Sequence, residues 1–200
     1  MNKQLIISIG REFGSGGHEI AQMLAKEFGL TLYDKSLLEN MAKDKNMDSS
    51  TLEKYDEKPR NMWITRTVRG YSNSAEENLA NMQFNYLKEK AEAGESFVIV
   101  GRCAETMLHN YKALISIFIL GDWDSKVDRV MRLYEMDREE AESFIYRQDT
   151  KRKNYHNYYC KGRWGDSRNY DISINSSKLG EEVTAGMLME YIRKRQNDKK

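Results

Sequence analysis

Three short, unbroken apolar runs constrain this chain most: Leu5-Ile6-Ile7-Ser8-Ile9, Phe97-Val98-Ile99-Val100 and Leu114-Ile115-Ser116-Ile117-Phe118-Ile119-Leu120. Runs this short, apolar without alternation, suit strands covered on both faces, which is the situation of a parallel sheet. Amphipathic helical stretches separate them. Apolar positions 20, 21, 24, 25 and 28 share one face after the first run, and Ala75, Leu79, Met82, Tyr86 and Leu87 repeat at helical spacing up to the stop at Gly94. Helices are expected over roughly 125–134 and 138–158. Asp171-Ile172-Ser173-Ile174 reads as a last strand, and Val183, Met187, Leu188, Tyr191 and Ile192 mark a final helix. Alternation of strand and helix predicts an α/β fold with helices on both faces of a parallel sheet, whose ligands bind beyond the carboxyl ends of the strands.

The first strand runs into Arg11-Glu12-Phe13-Gly14-Ser15-Gly16-Gly17-His18, and a helix follows directly. Strand, glycine turn and helix in that order make an anion cradle. The amides of the first helical turn lack intrahelical acceptors, and the helix dipole adds favourable potential for negative charge. Backbone donors of Glu12, Phe13, Gly14, Ser15, Gly16, Gly17 and His18 are therefore the candidate phosphate-binding set. The P-loop pattern G-x-x-x-x-G-K-[ST] is met only in part. Arg11 stands at its first glycine, Gly17 at its lysine and His18 at its hydroxyl residue.

Composition narrows the classes. Two hundred residues suit one α/β domain, and a formal net charge of +1 argues against a general nucleic-acid binder. The basic tail, Arg193-Lys194-Arg195 to Lys199-Lys200, reads as a solvated helix end. Two cysteines, Cys103 and Cys160, are too few for a disulfide framework and too far apart in sequence for a zinc motif. A reducing cytoplasm is expected. No run reaches the roughly twenty apolar residues of a membrane span, and the N-terminal run is shorter than the roughly 7–15 residues of a secretion signal. Thr31-Leu32-Tyr33-Asp34 is a short strand, Ser36 caps a helix over Leu37, Leu38 and Met41, and residues 44–60, with Pro59, form a polar loop or insertion.

Several stretches in order resemble the cytidylate-kinase-like family, a branch of the nucleoside monophosphate kinases. They are Arg11 to Gly17, Tyr33-Asp34-Lys35, Val98-Ile99-Val100-Gly101-Arg102-Cys103-Ala104, Asp149 with Arg152, Tyr158-Tyr159, and Trp164-Gly165-Asp166 leading to Tyr170-Asp171. The resemblance implies a three-layer P-loop kinase fold on a five-stranded parallel core. The core would hold residues 1–35, 96–137 and 169–200. A monophosphate-binding insertion would occupy 36–95 and a lid 138–168. It also implies ATP as donor, Mg²⁺ as its companion and a nucleotide or other phosphorylated small molecule as partner. Nucleic acid and membrane are not expected partners, and a homodimer through the helix from Ala75 stays open. The chain departs from true cytidylate kinases at Gly17, at Val100 and Cys103, where they carry carboxylates, and at Asn40, where they carry an arginine.

Phosphoryl transfer requires positive charge and donors around the moving group, and a metal held by oxygen. Arg102, Arg152 and Arg147 are the candidate catalytic cations, with Asp149 and Lys151 on the same lid helix and Asp34 as the remaining carboxylate. Asp34 is open to three roles: holding a metal-bound water, orienting a substrate hydroxyl, or pairing with Arg102 or Arg11. His18 either donates to a phosphate or stands in, when protonated, for the missing lysine. Cys103 reads as core or site lining, and Tyr155, Tyr158, Tyr159 and Trp164 either stack on a base or, as aromatic residues at this density more often do, pack the lid against the body. Two functions follow from these residues: a phosphotransferase, or a non-catalytic nucleotide or anion sensor. A kinase for a non-nucleotide acceptor is a third reading.

Overall fold

The computed structural model describes residues 4–34, 37–44, 67–68, 71–72 and 74–197. Five parallel strands form the central sheet: β1 (Ile6–Arg11), β2 (Thr31–Tyr33), β5 (Phe97–Val100), β6 (Leu114–Leu120) and β7 (Ile172–Asn175), in the spatial order β2-β5-β1-β6-β7. β1 is central, with Ile9 beside Val100 of β5 on one side and Ile117 of β6 on the other. Strands β2 and β5 lie to one side of β1, and β6 and β7 to the other. The order reverses at the carboxyl end of β1, and such a switch point opens a crevice.

Side chains of β1 divide by the two-residue period of a strand. Ile7 and Ile9 join Val98, Val100, Ile117 and Ile119 on one face, under α1 (Gly17–Phe28) and the last helix, Gly180–Asn197. Ile6, Phe97 and Ile99 fill the other face with Leu79, Tyr86 and Leu87 of α3 (Ala75–Glu92), and with Leu37 and Met41 of α2 (Leu37–Asp44). Ile20 and Leu24 of α1 are fully buried, each worth about 1.5–3 kcal/mol. Their spacing fixes which face of α1 lies on the sheet, and hence where its amino end points.

Two further helices follow β6: α5 (Trp123–Tyr134) and α6 (Arg138–Tyr159). Asp137 starts α6 with a full capping box, its carboxylate accepting from the Glu140 amide at 2.9 Å. The strands lie where the apolar runs predict. The sequence reading did not foresee the four-residue helix α4 (Ala104–Met107) or the short antiparallel pair β3 (Thr67–Val68) and β4 (Tyr71–Ser72). Asp44, assigned by sequence to a loop, ends α2. The Ser36 cap and residues 45–60 lie outside the described residues. The helix from Gly180 is α7.

Candidate functional site

The turn after β1 is held from several sides. Glu12 N–H donates to the Ile119 carbonyl at 3.0 Å, continuing the β1–β6 ladder by one residue. Ser15 bends back, its amide and hydroxyl both reaching the Glu12 carbonyl, at 3.4 and 2.9 Å. Ser176, just after β7, donates its hydroxyl to the Ser15 carbonyl at 2.6 Å and fixes the turn to the far edge of the sheet. Gly16 caps α1 in a left-handed conformation (φ 73°), and no side chain supplies a cap. The amides of Gly16, Gly17 and His18 donate to no acceptor among the described residues. They face outward at the positive end of a twelve-residue helix, which is the arrangement that holds phosphate oxygens.

Not all of the seven expected amides are open. Those of Glu12 and Ser15 are used within the turn, and Phe13 N–H donates to Asp149 Oδ1 at 2.6 Å. In this conformation the available cradle is Gly14 and residues 16–18, narrower than the sequence suggests.

Gly17 has a steric cause. A Cβ there would lie 2.6 Å from Arg11 Cβ, closer than packed carbons approach. With arginine at the end of β1, position 17 has no room for a lysine. The Arg11 side chain passes over Gly17, and its Nη1 reaches the far side of the crevice, 2.5 Å from where a Gly101 Cβ would stand. Two departures from the P-loop pattern, arginine at its first glycine and glycine at its lysine, are thus one coupled exchange. Of these two positions, the cation stands at the beginning of the turn rather than at its end.

Gly101 follows β5, and Gly101, Arg102 and Cys103 take left-handed φ angles of 77°, 59° and 54° in succession. Non-glycine residues rarely do this, at a cost of order 1–3 kcal/mol each, and such strain concentrates at functional turns. The kink carries Arg102 into the crevice, where it is 3% exposed. Arg152 arrives from α6, donating to the Arg11 carbonyl at 3.3 Å with its guanidinium over the Phe13 ring. Arg11, Arg102 and Arg152 line one cavity of about 30 Å³ with Gly101, Trp164 and Tyr170. Three guanidinium groups against one carboxylate, Glu105, around so small a space leave an excess of positive charge for an anion, and room for about one or two waters is too little for a substrate until α6 shifts.

On the outer side of the turn lies a second, wider cavity of about 380 Å³, lined by Gly14, Ser15, Arg129, Arg132, Ser176 and Ser177. Arg129 is held there by Glu19 at 2.9 Å and by Glu181. The turn therefore separates a roomy pocket from a tight, electropositive one.

Lys126 went unremarked in the sequence reading. Its ammonium is buried between Glu12 Oε2 at 3.1 Å and Asp149 Oδ2 at 3.2 Å. Glu12 also accepts from Gly121 N–H at 3.1 Å. Burial raises the Asp149 pKa above the ordinary carboxylate value, opposed by the Phe13 amide, Lys126 and Arg152. This knot ties α5 and α6 to the glycine turn. A signal was present: Lys126 falls in the apolar stripe of α5, beside Val127 and one turn before Val130.

The other predicted residues are dispersed. Arg147 and Lys151 are exposed, Arg147 lying over the Phe144 ring rather than in the cavity. Exposed His18 has its Nε2 3.6 Å from Asp34 Oδ2. Cys103 and Cys160, distant in sequence, meet in one buried cluster, and hydrogen bonding between them pushes the Cys103 thiol up and the Cys160 thiol down. His156 Nε2 lies 2.7 Å from Glu105 Oε1 in the same region. Burial alone would lower its pKa, but Cys160 and Glu105 raise it to about 10. Tyr159 packs edge-on to Phe84 and Trp164 edge-on to Phe118.

Oxygen ligands for Mg²⁺ are sparse here. Among the described residues, Glu12 and Asp149 are engaged with Lys126, Glu19 and Glu181 with Arg129, Val100 ends β5 with a hydrocarbon, and Asp34 lies beside His18 at the amino end of α1. One carboxylate suits an ion that arrives on nucleotide phosphates and keeps most of its waters.

The chain matches the cytidylate kinase-like family over residues 6–178. No curated protein matches it in sequence. A crystal structure of an uncharacterized protein from Eubacterium ventriosum is 41% identical, with a TM-score of 0.76 over 95% of this chain and 99% of that one. Shikimate kinase from Bacteroides thetaiotaomicron is 14% identical (TM-score 0.55, 94% and 98% covered). Shikimate kinase from Acinetobacter baumannii, in complex with shikimate, is 12% identical (0.56, 98% and 97%). The latter two share the fold, that of P-loop kinases. Among the described residues no helix is long and apolar enough to cross a membrane. A glycine turn at the switch point of a five-stranded parallel sheet and a family match running from β1 to just short of the last helix agree: the chain belongs to the cytidylate kinase-like family.

Proposed function

We propose that this protein binds a nucleoside triphosphate across the glycine turn and transfers its terminal phosphoryl group to a small phosphorylated acceptor. The single observation that carries the reading is the convergence of Arg11, Arg102 and Arg152 on one cavity beside the open amides of residues 16–18. In this reading the nucleoside of ATP sits in the wide pocket by Arg129 and Ser177. Its phosphates follow the turn, and its γ-phosphoryl enters the arginine cavity. An acceptor phosphate oxygen attacks the γ-phosphorus, the bond to the β–γ bridging oxygen breaks, and ADP leaves. An acceptor phosphate is already ionised, so no general base is required. The arginines neutralise charge on the transferring group. Asp34 would hold Mg²⁺ together with the phosphates, and the ion would supply further charge neutralisation there. The lid is α6, which must swing out to admit substrate, with residues 36–95 reading the acceptor. The cytoplasm is the proposed location.

A second reading, a nucleotide or anion sensor without turnover, is favoured by Asp149 occupying the Phe13 amide. Coupled-assay turnover of ATP with a panel of nucleoside monophosphates, extended to shikimate because of the shared fold, separates the two. Acceptor-dependent ADP formation is expected with at least one phosphorylated acceptor. Transfer to shikimate alone would move the acceptor to a hydroxyl. Thermal stabilisation by ATP, about 2.7 kcal/mol at a hundred times its Kd, without transfer would establish the sensor. Neither effect would overturn both readings.

A further inference from the structure

We infer that Glu105, His156 and Cys160 form a binding site for one divalent ion of borderline softness, of which Zn²⁺ is the fitting example. This inference is independent of the phosphoryl-transfer reading. The three side chains are buried, and their donor atoms (a carboxylate oxygen, Nε2 and Sγ) all lie within 4.8 Å of one another. Bonds of about 2.0–2.3 Å to a tetrahedral ion require such atoms to stand a little closer than that limit and a little wider than the 2.7 Å between His156 Nε2 and Glu105 Oε1. A modest adjustment, with the ion replacing the shared proton, completes the geometry.

The scaffold prepares the donors. His156 and Cys160 are one helical turn apart at the end of α6, and Cys160 N–H donates to the His156 carbonyl at 2.8 Å, so both project from the same side. Glu105 comes from α4, immediately after the left-handed kink. His156 Nδ1 lies 3.4 Å from Asn157 Oδ1, an outer partner that leaves Nε2 for the ion, as in most metal-binding histidines.

Charge and donor chemistry select the occupant. A thiolate and a carboxylate cancel a dication, so with water as the fourth ligand the loaded site is neutral and adds no charge beside Arg102 and Arg152. Sulfur and imidazole nitrogen favour Zn²⁺ or Co²⁺ over Mg²⁺ or Ca²⁺. Two fourth ligands are at hand: the Cys103 sulfur, in the same buried cluster as Cys160, or a water from the 30 Å³ cavity that Glu105 and His156 also line. The bound ion would join the turn after β5 to the end of the lid helix. Sequence spacing hides this site because Glu105 and the His156-x-x-x-Cys160 pair meet only in the fold.

The test uses the full chain, untagged and reduced, equilibrated with Zn²⁺ or Co²⁺ and freed of excess ion. One ion per chain is expected by elemental analysis. The Co²⁺ form should show a thiolate-to-metal charge-transfer band that Cys160→Ser abolishes and His156→Gln weakens. Should either variant fail to fold, the wild-type protein suffices: Zn²⁺ should slow alkylation of Cys160 by at least about tenfold and raise Tm. Absence of stoichiometric metal, or a Co²⁺ spectrum without a sulfur band together with unchanged alkylation, would overturn the assignment.

Discussion

Replacing Arg11 with alanine is expected to lower phosphoryl transfer by about 10²–10³ in kcat, the usual cost of removing one preorganised charge from the reacting centre. Arg11 ends a central strand, and its stem is braced against Gly17, so its guanidinium is held over Gly101 before any ligand arrives. Stability should change little, because the side chain is only partly buried. Gly17→Lys, which restores the usual P-loop residue, should not help. Its Cβ would meet Arg11 Cβ at 2.6 Å, and such overpacking costs about 1–3 kcal/mol. Combined with Arg11→Gly the 2.6 Å clash disappears, leaving a contact of 3.3 Å with Ile119 Cβ, and a cation stands at the end of the turn, so the double variant should outperform both single ones. Steady-state kinetics and urea unfolding of the four proteins check this. A double variant no better than the worse single one would show that positions 11 and 17 are not exchanging one charge.

Lys126→Met is expected to destabilise the protein by about 3–5 kcal/mol, the range found when one partner of a buried ion pair is removed. Glu12 and Asp149 would be left facing each other with Arg152 the remaining nearby cation, and their amide donors, Gly121 and Phe13, do not cancel two charges. The pH dependence has a definite sign. Asp149 already titrates above its ordinary value because of burial. A carboxylate whose folded pKa exceeds its unfolded one stabilises the fold below the unfolded pKa, and that contribution is lost as pH rises through the folded pKa. Removing Lys126 raises the folded pKa further. The deficit of the variant should therefore be largest at neutral pH and shrink at acidic pH, as Asp149 takes up a proton. Urea unfolding at the two pH values measures it. A pH-independent loss below about 1 kcal/mol would mean that the knot contributes little.

Strands β1, β5 and β6 were legible because each carries a short, nearly all-apolar run bounded by glycine or polar residues. Ile7 and Ile9 against Ile6 then assign the two faces by simple alternation. Helix α4 escaped notice because four residues carry no periodicity, and the β3–β4 pair because its two-residue strands carry no alternation. At the site, the glycine turn announced itself through local order, and Arg102 through its place after a buried strand. Contacts made between remote parts of the chain were hidden: Asp149 on the Phe13 amide, Lys126 between two carboxylates, and Cys103 against Cys160. Arg147 and Lys151 lie on the same helix as Arg152 but are exposed. Helical spacing puts them on one face, but only packing decides that this face looks at solvent while Arg152 looks inward.

Backbone amide NMR of isotope-labelled protein, titrated with ATP and Mg²⁺, tests most directly whether the glycine turn is a phosphate cradle. Gly16, Gly17 and His18 amide resonances should shift the most and saturate together, and Phe13 should move as Asp149 yields or holds its place. Saturating nucleotide that leaves those three amides unmoved would contradict the account.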